Sequence, residues 1–161
     1  MEHIQASEEL REVSQDIKSR VKWALTELLI NGAKHAGAAQ TLLHFKLAEN
    51  TLVIEKEDLG NPLLLTVNGN QQLSWPVAEP CLNQHFDIYR NGMDSLRIYT
   101  ESRNSAFFLV EEIEDLEMPE LLTNTSDHFG LLIIAKASDH FSYCFDQPTG
   151  RNTFRITFNL L

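Results

Sequence analysis

The hydrophobic period of this chain changes once, near residue 40, and that change limits the folds open to it. From 21 to 36 (VKWALTELLINGAKHA) apolar residues recur at helical spacing, with Val21, Leu25, Leu28, Leu29 and Ala36 forming one stripe. From 41 onward the pattern becomes that of short strands. TLLHFKL (41–47) and TLVIEKE (51–57) read as two strands joined through Ala48-Glu49-Asn50, and LLLTV (63–67) as a third. SLRIYT (95–100) and AFFLVEE (106–112) read as a hairpin closed by residues 101–105. HFSYCFD (140–146) and TFRITFNL (153–160) read as another, closed by Gln147-Pro148-Thr149-Gly150. Turns this short join antiparallel neighbours, whereas parallel strands need a crossover of a dozen residues or more.

The remaining segments complete the outline. Residues 6–20 read as a polar helix with Ser7 as N-cap, followed by Glu8 and Glu9 at its positive end. Gly37 is a stop for the apolar helix. Gly32 within it costs about 1 kcal/mol against alanine, a sacrifice that often marks close approach by another group. Residues 68–92 show no regular pattern, and 113–126 read as a solvated connection. A late helix over 128–138, with the apolar body FGLLIIAKA, is capped by Ser126 or Asp127. The expected fold is α+β: one domain over 1–161, a two-layer α/β sandwich with helices on one face of a mixed, mainly antiparallel sheet.

Composition removes several functions. The formal charge of −10, with basic residues scattered, argues against a nucleic-acid surface. No run of eighteen apolar residues exists, and the polar beginning MEHIQASEEL lacks a secretory signal, so no membrane association and a cytoplasmic location are expected. Two cysteines, Cys81 and Cys144, do not make a disulfide framework. His140 and Cys144 on one strand would stand roughly 13 Å apart, too far for one zinc ion.

Three segments carry chemistry. Glu27, Asn31 and His35 are spaced by four and share one side of the apolar helix, at the edge of its core stripe. A carboxylate there can act as a general base and an amide oxygen can ligate Mg²⁺; the same stripe also fits a solvated polar edge. Asp58-Leu59-Gly60-Asn61-Pro62 follows a strand. There an aspartate can accept from an exocyclic amine and a glycine lets the backbone approach a flat base; a plain β-turn has the same composition. Phe129-Gly130-Leu131 enters the late helix, where exposed N–H groups attract phosphate.

In this order the segments resemble the GHKL ATPases, the superfamily of histidine kinases, gyrase-type ATPases, Hsp90-type chaperones and anti-sigma-factor kinases. ALTELLINGAKHAGA (24–38) is similar to its N box, DLGNP to its first glycine box, HFGLLIIAKASDHFSY to its second, and GRNTFRITF to its closing hairpin. The resemblance spans about 20–58 and 127–160. It implies that Asn31 holds a nucleotide-bound Mg²⁺, Glu27 is the general base, Lys34 reaches the phosphates and His35 flanks the nucleotide. It further implies that Asp58 binds the adenine amine with Gly60 beside the base, that Gly130 admits the phosphates, and that Thr153 supports the adenine contact.

The chain departs from the family pattern at three places. Asn61-Pro62 follow where a second glycine is usual, His128 stands where the second box usually has its first glycine, and 61–127 forms an atypical insertion. No helical hairpin carries a phosphoacceptor histidine. The implied function is an ATP- and Mg²⁺-dependent serine/threonine kinase of anti-sigma-factor type. Its partner would be a small regulatory protein, either an antagonist-type phosphoacceptor or a sigma-factor-like protein, and a homodimer is compatible. The alternative is a degenerate, non-catalytic module of the same superfamily that binds a partner.

Overall fold

The computed structural model describes residues 14–35, 37–112 and 126–160. The expected Ser7 cap, the start of a helix at residue 6 and the connection over 113–125 lie outside them.

Helix α1 runs unbroken over Gln15–His35, across the boundary expected at 20/21. Its cap is Ser14, whose hydroxyl accepts from the Ile17 N–H at 3.3 Å. The polar and apolar halves join because Ile17, Ala24 and Leu28 continue one buried stripe, with Val21 and Leu25 packed beside it. Gly37, at φ 61°, turns the chain out of the helix.

Among the described residues nine strands follow in order: β1 (Thr41–Ala48), β2 (Thr51–Asp58), β3 (Leu64–Val67), β4 (Gln71–Ser74), β5 (His85–Asn91), β6 (Asp94–Thr100), β7 (Ser105–Glu112), β8 (His140–Asp146) and β9 (Arg151–Asn159). Helix α2 (Ser126–Ala137) lies between β7 and β8 in the chain. Seven strands form one sheet in the order β1-β2-β9-β8-β7-β6-β5, and β3-β4 form a separate hairpin. Every described pairing is antiparallel.

The expected two-layer α/β sandwich over a mixed sheet is therefore corrected. The described chain is dominated by antiparallel strands, nine of them against two α-helices. The physical reason lies in residues 61–127. That segment contributes β5, β6 and β7 to the main sheet through β7·β8 pairing, and β3-β4 besides. Strand β5 falls in the stretch read as irregular. Its alternation is interrupted by a register shift between Asp87 and Tyr89, although Phe86 and Ile88 are buried in phase.

The core fills the inner face of the sheet. Phe108 on β7 stacks on its cross-strand partner Phe141 on β8, with ring centroids 4.3 Å apart, and this pair fastens the added strands to the rest. Helices α1 and α2 meet along their lengths, and the Arg20 guanidinium donates to the Ala137 carbonyl at 2.7 Å. The β3-β4 hairpin turns at Asn68-Gly69, both at positive φ. It is tied to β5 by a reciprocal pair: Asn68 N–H to the Asp87 carbonyl, and Asp87 N–H to Asn68 Oδ1. No helix among the described residues is long and apolar enough to cross a membrane.

Candidate functional site

Strand β2 alternates strictly, burying Leu52, Ile54, Lys56 and Asp58 on its inner face. The last two are charged. Lys56 Nζ and Asp58 Oδ2 stand 3.0 Å apart with side chains 2% and 1% exposed. A pair this buried survives only if its remaining valences are satisfied, because both ions have lost their hydration. Asp58 Oδ1 accepts from the Gly60 N–H and from Asn152 Nδ2, each at 3.0 Å. Asn152 lies directly opposite Asp58 in the β2·β9 register. Its amide also lies within donating distance of the Gly60 and Asn61 carbonyls, at 3.0 and 3.3 Å.

Tyr143 on β8 completes this cluster. Its hydroxyl donates to Asn152 Oδ1 and accepts from the Leu63 N–H at 3.0 Å. Burial drives the phenol well above the ordinary tyrosine range; the Leu63 N–H pulls it back, and the Asp58 and Cys144 charges add to the rise. Residues 60–63 are thus pinned to the sheet by Asp58, Asn152 and Tyr143. The pinned loop forms one rim of a cavity of about 530 Å³.

Helix α1 supplies the opposite wall through Leu28, Asn31 and Gly32, and α2 contributes His128 and Leu131. Gly32 is closely approached: a Cβ there would stand 2.5 Å from Lys56 Cε and 2.8 Å from Nζ. The Asn31 Nδ2 group is buried and has no hydrogen-bond partner among the described residues. An orphaned buried amide donor costs about 1–3 kcal/mol, so it calls for a partner from the cavity.

The positions singled out from sequence fall into three groups. Asn31 and Asp58 both line the cavity, and Gly60 donates to Asp58 beside it. Glu27 and Asn31 converge on Gly130 in the first turns of α2. A Cβ at 130 would meet Glu27 Oε2 at 2.8 Å and the Asn31 amide at 3.4 Å, so glycine leaves room for both side chains. Lys34 is exposed on α1, and Thr153 faces the other side of β9, where it pairs with Glu57. The inner positions on that strand belong to Asn152 and Phe154. His35 ends α1.

The residues that sequence reasoning passed over are Lys56, Asn152 and Tyr143. The signal for Lys56 was present, since it and Asp58 occupy inward positions of an alternating strand that should be apolar. Asn152 and Tyr143 had no such mark. Among the described residues no three His, Cys, Asp or Glu side chains cluster closely enough to hold a metal by themselves. A single amide such as Asn31 suits Mg²⁺ that arrives with phosphate and water as its other ligands. Comparison of the chain with protein-family models, with curated proteins and with solved structures finds no match.

Proposed function

We propose that the cavity between α1, β2, β9 and the 60–63 loop binds ATP with Mg²⁺, and that the protein is a cytoplasmic regulatory kinase acting on a serine or threonine of a small partner protein. One observation carries this reading. Asn31 and Asp58, from separate elements and separate sequence motifs, line one cavity of about 530 Å³, and the Asn31 Nδ2 donor is unpaired, which suits an anionic phosphate oxygen while Oδ1 remains for the ion. A cavity of this size suits a nucleotide.

In this reading Asp58 accepts from the adenine amino group and Gly60 keeps its backbone close to the base plane. Asn31 would hold the nucleotide-borne Mg²⁺, which supplies neutralisation of phosphate charge. The first turn of α2, which precedes Gly130, offers the phosphates N–H groups that lack an intrahelical partner. Glu27 sits beside Asn31 and takes the proton of the acceptor hydroxyl. That oxygen then bonds to the γ-phosphorus as the bond to the ADP oxygen breaks.

A second reading retains the cavity without turnover and makes the protein a partner-binding module. It is favoured by Lys34, which is exposed rather than directed at the cavity. Calorimetric titration with MgATP decides the shared step. Wild type binds, and Asn31→Ala and Asp58→Ala each weaken binding severely; absence of binding by wild type defeats the kinase reading and leaves the partner-binding module. Transfer of labelled γ-phosphate to a serine-bearing partner, lost in Glu27→Gln, then separates kinase from module.

A further inference from the structure

The buried ion pair does more than the nucleotide reading asks of it. That reading uses Asp58 alone, yet Lys56 is carried at 2% exposure on the cavity wall beside it. Keeping it there has two costs. A buried pair is often no more stabilising than apolar residues of the same volume. In its observed position the ammonium also lies where a Cβ at position 32 would crowd it, and glycine in a helix interior costs about 1 kcal/mol against alanine. A purely structural lysine would not need to border a cavity.

The valences of the pair are only partly used. An ammonium has three N–H groups. Asp58 Oδ2 takes one, and the face of Phe154 lies 5.0 Å from Nζ. On the carboxylate, Oδ1 already accepts twice and Oδ2 once. An anionic oxygen has room for two donors, so Oδ2 keeps one acceptor site. Side by side, 3.0 Å apart, the pair presents a free acceptor and a free donor. That pattern complements a flat heterocycle whose edge carries an amino group next to an unprotonated ring nitrogen.

Resting on the nucleotide reading above, we infer that Lys56 is a specificity-determining residue for the base. Its ammonium donates to adenine N1 while Asp58 accepts from the neighbouring N6 amino group. The charge on the donor makes this bond stronger than a neutral one, and the dry wall of the cavity keeps water from replacing it.

The test compares MgATP with Mg·1-deaza-ATP, in which N1 is replaced by C–H, by calorimetry on the wild-type protein. A bond from a buried ammonium predicts that the deaza analogue binds more weakly by about tenfold or more. Lys56→Met and Gly32→Ala follow, each checked for native circular dichroism. The first removes the ammonium. The second displaces it through the Cβ contact while leaving lysine in place. Both are expected to bind the two nucleotides equally. Equal affinity of wild type for ATP and its deaza analogue overturns the role of Lys56 but leaves ATP binding standing. Discrimination that persists in both variants assigns N1 to another donor and likewise overturns it. Failure of wild type to bind either nucleotide defeats the parent reading itself.

Discussion

Replacing Tyr143 by phenylalanine isolates one atom of the buried cluster. The ring stays, with its edge contact to Trp75 at 5.3 Å between centroids and its packing on Phe154 at 4.8 Å. The lost hydroxyl had two partners. Asn152 Oδ1 is buried with the residue at 2% exposure, so it loses its donor without water to replace it, at about 1–3 kcal/mol. Leu63 N–H lies at the part-buried cavity rim, where water can substitute, so its loss adds about 0.5–1 kcal/mol. The sum is about 1.5–4 kcal/mol. For a chain of this length each 1 kcal/mol lowers Tm by about 2–4 °C, so a fall of about 3–16 °C is expected. Urea unfolding of wild type, Tyr143→Phe, Asn152→Ala and the double variant measures it. The two residues share one hydrogen bond, so the double variant should cost less than the sum of the singles by about 1 kcal/mol or more. A loss below about 0.5 kcal/mol for Tyr143→Phe, or strict additivity, refutes the cluster as a connected unit.

The same phenol makes stability depend on alkaline pH. Its proton is held more tightly folded than unfolded, so its contribution is complete below the ordinary tyrosine range near 10 and is lost as pH rises above it. Unfolding free energy of wild type should fall faster above pH 10 than that of Tyr143→Phe, by up to one proton of slope; parallel curves would show that the hydroxyl is not buried as described. Gly130→Ala places a methyl group 2.8 Å from Glu27 Oε2, so the Glu27 carboxylate must swing away, and the change in Tm should be small, within about 1 kcal/mol of stability either way. In the Glu27→Ala background Gly130→Ala should raise Tm through helix propensity alone, and a clear loss there would show that a group other than Glu27 obstructs the methyl.

Local chemistry made much of this architecture readable. The hairpins at 41–58, 95–112 and 140–160 announce themselves by alternation around short turns, and the structure builds strands within all three. Asn31 stands out by its four-residue spacing from Glu27 and His35 at the edge of an apolar stripe, and Asp58 by the Asp-Leu-Gly after a strand, patterns that a solvated edge and a plain turn also fit. What stayed hidden depends on partners distant in sequence. Strand β5 is bulged, and β4 buries only Leu73, so neither shows a clean period alone. The adjacent residues Asn152 and Thr153 look equally polar in sequence. Which of them faces inward is set by pairing of β9 with β2, where Asn152 meets Asp58 and Thr153 meets Glu57. The helix boundary near residue 20 was invisible as continuity, because the change from polar to apolar composition suggested two elements where one stripe runs through.

The strand order has a consequence for how the molecule assembles. Strand β9 lies between β2 and β8, and it is the only element that joins the β1-β2 pair to the β8-to-β5 run within the described sheet. Its contacts with β2 bridge long separations, as in the Arg155–Glu55 pair one hundred positions apart. During synthesis, then, each half of the sheet can form its own hairpins, but the seam must wait for β9 to leave the ribosome. Asp58 and Asn152 meet across that seam. The buried polar cluster is therefore complete only when β9 is in place, since a chain that lacks β9 has the lysine and the aspartate without the amide that donates to the carboxylate.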